Sequence, residues 1–159
     1  MTDGSGNTSG SLPVLVADDE PEALLCCRVA LQFAGIRDVV LCEDSRQVLE
    51  LMHTHSFGAV MLDLRMPYLS GEELLVDLRA EFPEVPVIIM TGANDVETAV
   101  RCMSAGAFDY MVKPVDEHRM LAGLRRALAL RELDQEGALK HTRGLSDRLE
   151  HPEAFTEFV

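Results

Sequence analysis

Five short apolar runs, each followed by a longer stretch of helical spacing, limit what this chain can fold into. They fall at 13–17 (PVLVA), 39–42 (VVLC), 59–62 (AVML), 85–90 (VPVIIM) and 108–112 (FDYMV). Runs this short, mostly without polar alternation, read as strands buried on both faces. The stretch 22–33 carries Leu24, Leu25, Val29 and Leu31 and stops at Gly35. The stretch 45–55 carries Val48, Leu49 and Met52 behind Asp44 as N-cap, and 70–82 carries Leu74, Leu75 and Leu78 ahead of Pro83. In 94–105 the pattern is Val96, Ala99, Val100 and Met103, with Gly106 at the C-cap position. A last helix is expected to start with Pro114 in its first turn and to run over 115–136 through Leu121, Leu124, Leu128 and Leu133. Strict alternation with short connections predicts a (βα)5 α/β fold. Its sheet is doubly wound, five-stranded and parallel, with helices on both faces.

Hydrophobic residues make up 47% of the chain and aromatics 5%, so the core must be aliphatic. No stretch reaches the ~18–20 apolar residues that cross a bilayer. Residues 1–11 have neither a basic nor an apolar region and read as a flexible leader rather than a signal peptide. Cys26, Cys27, Cys42 and Cys102 contain no C-x-x-C pair, and the five histidines form no cluster with them, which argues against zinc. Adjacent Cys26 and Cys27 read as buried helix residues, and the whole pattern fits a reducing cytoplasm. A net charge of −13 argues against DNA binding by this chain itself.

In a doubly wound sheet, ligands bind beyond the carboxyl ends of the strands, where the strand order reverses. The residues there are Asp18, Asp19 and Glu20 after the first run, Asp63 after the third, Thr91 after the fourth and Lys113 after the fifth. Clustered carboxylates suit a hard cation such as Mg²⁺, which binds through few protein oxygens and leaves room for water and phosphate. A carboxylate can also be a nucleophile toward phosphorus. Phosphoryl transfer needs chiefly positioning and positive charge around the equatorial oxygens, which Mg²⁺ and Lys113 can supply. Lys113 is one of two lysines beside twelve arginines, a flexible point charge rather than a fork. Each residue also has a plainer reading. Asp18 and Asp19 could be a solvated loop start, Thr91 a capping hydroxyl, Tyr110 a half-buried strand aromatic and Lys113 an exposed loop lysine. Glu20 is read as a helix-start acid outside the site.

Taken in order, "ADDE", "LDLRMPYLSG", "IIMTGA" and "YMVKP" resemble the receiver (CheY-like) domain of two-component response regulators over roughly residues 12–130. The resemblance implies a flavodoxin-like strand order 2-1-3-4-5. It implies that Asp63 accepts a phosphoryl group from a sensor histidine kinase. Asp18, Asp19, Asp63 and the backbone carbonyl of Arg65 would bind Mg²⁺. Lys113 would pair with the phosphoryl group, Thr91 would hydrogen-bond it, and Tyr110 would swing in behind Thr91. Pro67 and Gly71 would shape the loop after the acceptor, and Pro114 would follow a cis peptide. The chain departs from the family at Gly92, where many receivers carry Ala. That residue and Arg65 both bear on phosphoryl lifetime.

Residues 131–159 are expected to form a helical linker, with Gly137 and Gly144 interrupting its heptads. The last segment, "HPEAFTEFV", resembles the lead into the AAA+ ATPase output domain of sigma-54-dependent, NtrC-type activators. The expected function is a cytoplasmic phosphorylation switch. It would change the surface of the fourth helix, fifth strand and fifth helix, alter homodimer contacts and so regulate its own output domain. It would catalyse only its own phosphorylation and dephosphorylation. One alternative is a stand-alone receiver that acts by docking. Another is a Mg²⁺-dependent phosphatase with an aspartate nucleophile, disfavoured because Arg65 stands where its acid–base Asp would be.

Overall fold

A computed structural model describes residues 11–150, with side chains over 11–137. The expected leader (all but its last residue) and the segment 151–159 lie outside the described residues. The elements alternate as β1 (Val14–Ala17), α1 (Pro21–Phe33), β2 (Val39–Cys42), α2 (Val48–Thr54), β3 (Ala59–Leu62), α3 (Gly71–Glu81), β4 (Val87–Thr91), α4 (Val96–Ser104), β5 (Asp109–Val112) and α5 (Glu117–Glu150). The five strands are parallel in the order β2-β1-β3-β4-β5, as expected.

Alternation along the strands divides the core into two layers. Leu15, Ala17, Val60, Leu62, Val87 and Ile89 face Val48, Met52, Leu74, Leu75 and Leu78 of α2 and α3 and Cys102 of α4. Val14, Val16, Ala59, Met61, Ile88 and Met111 face Leu24, Cys27 and Leu31 of α1 and Met120, Leu124 and Ala127 of α5. The inner strands β1, β3 and β4 are buried on both sides, which is why their sequences show continuous apolar runs; the edge strands β2 and β5 are partly exposed. Asp109 pins α5 to β5: Arg119 forks onto its two oxygens at 2.9 and 2.8 Å, and Arg126 approaches at 3.3 Å.

Local signals account for most element ends. Asp44 accepts from the Arg46 N–H, Ser70 from Glu73 and Asp95 from Thr98. Gly35 and Gly106 lie at φ +92° and +104°, past the ends of α1 and α4.

Several expectations need correction. The segment 45–55 opens with a 3₁₀ turn, Ser45–Gln47, before α2. β4 begins at Val87, because the Val85 N–H turns back to the Phe82 carbonyl. Pro114 does not lie in the first turn of α5; it follows a cis bond from Lys113, three residues before Glu117. Gly137 and Gly144, expected to interrupt the heptads of the helical linker, do not interrupt the helix: α5 runs through both without a break. Each mid-helix glycine costs only about 1 kcal/mol relative to alanine, and a Cβ at Gly137 would meet nothing within 4 Å. Cys26 is exposed rather than buried. α1 turns Leu24, Cys27 and Leu31 inward, which leaves the residue beside Cys27 off that face. Among the described residues no helix is long and apolar enough to cross a membrane.

Candidate functional site

Strand register brings the acids together. Ala17 of β1 pairs with Leu62 of β3, so Asp18 and Asp63 leave adjacent strands side by side. The strand order reverses between those two strands, where this type of sheet binds its ligands. Thr91 pairs with Val112, and the next amide, Lys113 N–H, donates to the Thr91 carbonyl at 2.8 Å. Lys113 therefore emerges on the same edge.

Asp18 and Asp63 are 5% and 6% exposed, values that demand partners for both charges. Lys113 Nζ donates to Asp18 Oδ2 and, at 3.1 Å, to Asp63 Oδ2. Backbone amides take the other oxygens: Glu20 N–H donates to Asp18 Oδ1 at 3.0 Å and Arg65 N–H to Asp63 Oδ1 at 3.1 Å. One ammonium thus serves two buried carboxylates. Burial pushes the Asp63 carboxyl above the ordinary range. The Arg65 amide and Lys113 pull it down and Asp18 pushes it up, and the upward effects win. Burial alone would lower the Lys113 ammonium, but its bonds to Asp18 and Asp63 outweigh that and hold it above its ordinary value. Burial, followed by the charge on Asp18, pushes the nearby Cys27 thiol up to about 11. Cys27 is protonated at neutral pH and is no nucleophile here.

Asp19 is half-buried and Glu20 exposed. Asp18, Asp19 and Glu20 each offer a carboxylate oxygen within 4.8 Å of the others. Glu20 does precede α1 as its N-cap, but its side chain makes no capping bond. The sequence reading set Glu20 aside, whereas the fold places its carboxylate beside the other two. The donor set fits a hard divalent cation: all oxygens, two acids nearly buried, and one cation shared between two anions that leaves negative charge over.

Thr91 and Tyr110 meet at one residue the sequence did not single out. Ala93 N–H donates to Thr91 Oγ1 at 3.2 Å, and Tyr110 OH donates to the Ala93 carbonyl at 2.7 Å. Thr91 is fully buried and does not cap α4, a task Asp95 performs. Any inward movement of the Thr91 hydroxyl must disturb the Ala93 peptide and with it the anchor of Tyr110. A Cβ at Gly92 would meet nothing within 4 Å, so the missing methyl leaves open space beside Thr91.

The loop after Asp63 is tightly held. Gly71 N–H donates to the Leu64 carbonyl at 2.8 Å. A Cβ on Gly71 would lie 2.5 Å from both the Asp63 carbonyl oxygen and Leu64 Cα. Both atoms are backbone, so an alanine must displace the acceptor segment. Gly71→Ala is expected to cost about 1–3 kcal/mol, read as a lower denaturant midpoint at unchanged slope. A midpoint equal to the wild type would show that the loop can yield. Pro67 lies at the middle of the loop, where its carbonyl accepts from the buried Ser45 hydroxyl, a contact unforeseen in the sequence.

An α/β domain of this kind, with a lysine-bridged acid pair at its strand-order reversal, falls in the doubly wound class that binds ligands at the carboxyl ends of its strands. Within that class the assignment is specific: the response regulator receiver domain model matches residues 14–125, and the chain belongs to that family. It is 38% identical over 120 residues to the C4-dicarboxylate transport transcriptional regulatory protein DctD of Pseudomonas aeruginosa, covering 76% of this chain and 26% of that one. It is 36% identical over 122 residues to the transcriptional regulatory protein ZraR of Escherichia coli, covering 77% and 27%. The chain therefore spans about a quarter of the length of these relatives. Among solved structures, a CheY-like receiver domain protein from Methanospirillum hungatei superposes with TM-score 0.73 at 26% identity, covering 79% of this chain and 99% of that one. The beryllofluoride-activated NtrC4 receiver domain dimer superposes with TM-score 0.70 at 26% identity, covering 75% and 98%.

Proposed function

We propose that this domain is the phosphoacceptor switch of a two-component system, with Asp63 as acceptor. One observation carries the reading: Lys113 bridges Asp18 and Asp63 in a nearly buried pocket. In the transfer, an Asp63 carboxylate oxygen attacks phosphorus. A P–O bond forms as the P–N bond to the kinase histidine breaks, and the leaving imidazole keeps the electron pair and takes up a proton. Lys113, already within bonding distance of Asp63, neutralises charge on the transferred group. Asp18, Asp19, Asp63 and the Arg65 carbonyl would hold Mg²⁺, which would supply further positive charge for the transfer. Glu20, with a carboxylate oxygen within 4.8 Å of those of Asp18 and Asp19, would add to the negative charge of that donor set. Arg65 cannot serve as the acid–base carboxylate of a turnover phosphatase. The chemistry proposed for this domain is the gain and loss of its own phosphoryl group.

Once the group is in place, Thr91 turns toward it, the Ala93 peptide moves, and the hydroxyl of Tyr110 is released. The neighbouring surface is suited to a partner copy: Val96, Val100 and Met103 of α4 are 78%, 56% and 46% exposed, and Val112 at the end of β5 is 36% exposed. We infer a change in homodimerisation through α4, β5 and α5. The continuous α5 would pass that change to an output domain of the sigma-54-dependent, NtrC type in the cytoplasm. The names of the relatives, transcriptional regulatory proteins, favour this over a stand-alone receiver.

Beryllofluoride with Mg²⁺ is expected to change the oligomeric mass of the wild type in light scattering. Val100→Glu, which puts a charge on the α4 face, is expected to abolish that change while still binding beryllofluoride. An identical response from Val100→Glu would remove α4 from the interface.

A further inference from the structure

We propose that Ser45 is a positioning residue for the phosphoacceptor loop, holding residues 65–70 in the shape that presents Asp63 and the Arg65 carbonyl. The inference rests on the reading of Asp63 as acceptor. Ser45 opens the turn before α2, in a different part of the chain, yet it is only 1% exposed. Its hydroxyl donates to the Pro67 carbonyl and accepts from the Leu69 N–H at 3.0 Å. A serine hydroxyl has a single proton to give, so this one is committed to the loop.

The two bonds bracket Tyr68, which stands at φ +74°, a left-handed conformation that aromatic residues seldom adopt. Tyr68 is 70% exposed, so burial of its own ring does not hold it there. The Arg46 guanidinium lies 3.7 Å from the Tyr68 ring centroid. Arg46 is itself forked onto Asp44 at 3.0 and 2.8 Å. Three successive residues, 44–46, therefore grip the loop from outside. The Leu69 N–H also donates to the Pro67 carbonyl at 3.0 Å and closes the turn over Tyr68; the other anchors lie nearer the loop's ends, Arg65 N–H on Asp63 Oδ1 and Gly71 N–H on the Leu64 carbonyl. Without the Ser45 hydroxyl only the single Leu69–Pro67 turn bond holds residues 67–69, and they can relax toward ordinary backbone angles. Arg65 lies two residues before Pro67, and its amide orients the Asp63 carboxylate. The relaxation therefore reaches both the acceptor and the expected carbonyl ligand.

The test compares the whole chain with Ser45→Ala and Ser45→Thr. In metal-free buffer, amide exchange at Leu69 is expected to rise about tenfold in Ser45→Ala while amides of β1 are unchanged. The Mg²⁺ concentration giving half the maximal thermal shift is expected to rise about tenfold. The phosphorylation rate by a small phosphodonor should fall with it, and Ser45→Thr should recover most of each change. Equal acceleration of β1 and Leu69 amides, with an unchanged Mg²⁺ midpoint, would reduce Ser45 to a general stabilising contact and overturn the proposal. So would a Ser45→Ala protein that matches the wild type throughout. Failure of the wild type itself to take up phosphate would count against Asp63 as acceptor. The exchange data would still decide whether Ser45 holds the loop.

Discussion

Asp63→Asn is expected to take up no phosphoryl group from a small phosphodonor and Mg²⁺, while the wild type gains one group by intact mass. An amide oxygen is too weak a nucleophile to replace the carboxylate, and neighbouring Asp18 already accepts from Lys113 and the Glu20 amide. Phosphorylation that persists in Asp63→Asn would move the acceptor elsewhere. The same variant should also be more stable at neutral pH. The folded-state pKa of Asp63 is raised, burial being the largest cause. Between the unfolded carboxylate value and the raised folded value, the native state binds more protons than the unfolded one. Stability therefore falls as pH rises through that window, and the penalty is complete above it. Asparagine carries no charge and avoids this penalty. Its melting temperature should exceed the wild type's at pH 7, and the gap should close as pH falls below the ordinary carboxylate range. A gap that widens toward acid would reverse the sign assigned to Asp63.

Lys113→Met is expected to have the opposite effect on stability and to slow phosphorylation without abolishing it. Removing one partner of a buried ion pair costs roughly 3–5 kcal/mol, because a charge is stranded. Here two carboxylates would be stranded, but the Lys113 side chain is 25% exposed and water can reach the gap. A loss of about 2–3 kcal/mol in metal-free buffer follows. The folded pKa of Lys113 is raised, so its contribution is complete below the ordinary lysine value and is lost as pH climbs through the raised one. The difference between wild type and Lys113→Met should therefore shrink in strong alkali. Mg²⁺ should recover more stability in Lys113→Met than in the wild type, since it would meet two acids without an internal counter-ion. Phosphorylation should slow on the order of 10²-fold, as for loss of a preorganised charge at a developing anion. A variant as stable as the wild type without metal would show that the bridge contributes nothing.

The alternation of strands and helices was legible because burial on both faces of the inner strands leaves continuous apolar runs, and the Asp44 cap marks the start of the turn that leads into α2. The acids at the strand ends were legible too, since charge directly after a buried run has few structural uses. The 3₁₀ turn at Ser45, the start of β4 and the exposure of Cys26 were not. Each depends on which neighbour an amide or helix face finds once the chain has folded. Glu20 was set aside because a helix-start acid has a sufficient local explanation, and only the turn after β1 brings its carboxylate to Asp18 and Asp19.

By itself the sequence determined how many strand–helix units there are and which chemical groups end each strand, properties that follow from local period and burial. It did not determine every inner face: Val96, Val100 and Met103 follow a helical apolar pattern, yet α4 buries Thr98 and Cys102 instead. The tertiary structure decided which groups touch. Lys113 reaches Asp18 and Asp63 across separations of 95 and 50 residues. Ala93 joins Thr91 to Tyr110, and Ser45 reaches the acceptor loop from a turn 22 residues away. Hydrogen bonds over such separations have no periodic signature. They exist only when the parallel register and two packed layers of helices hold both ends in place.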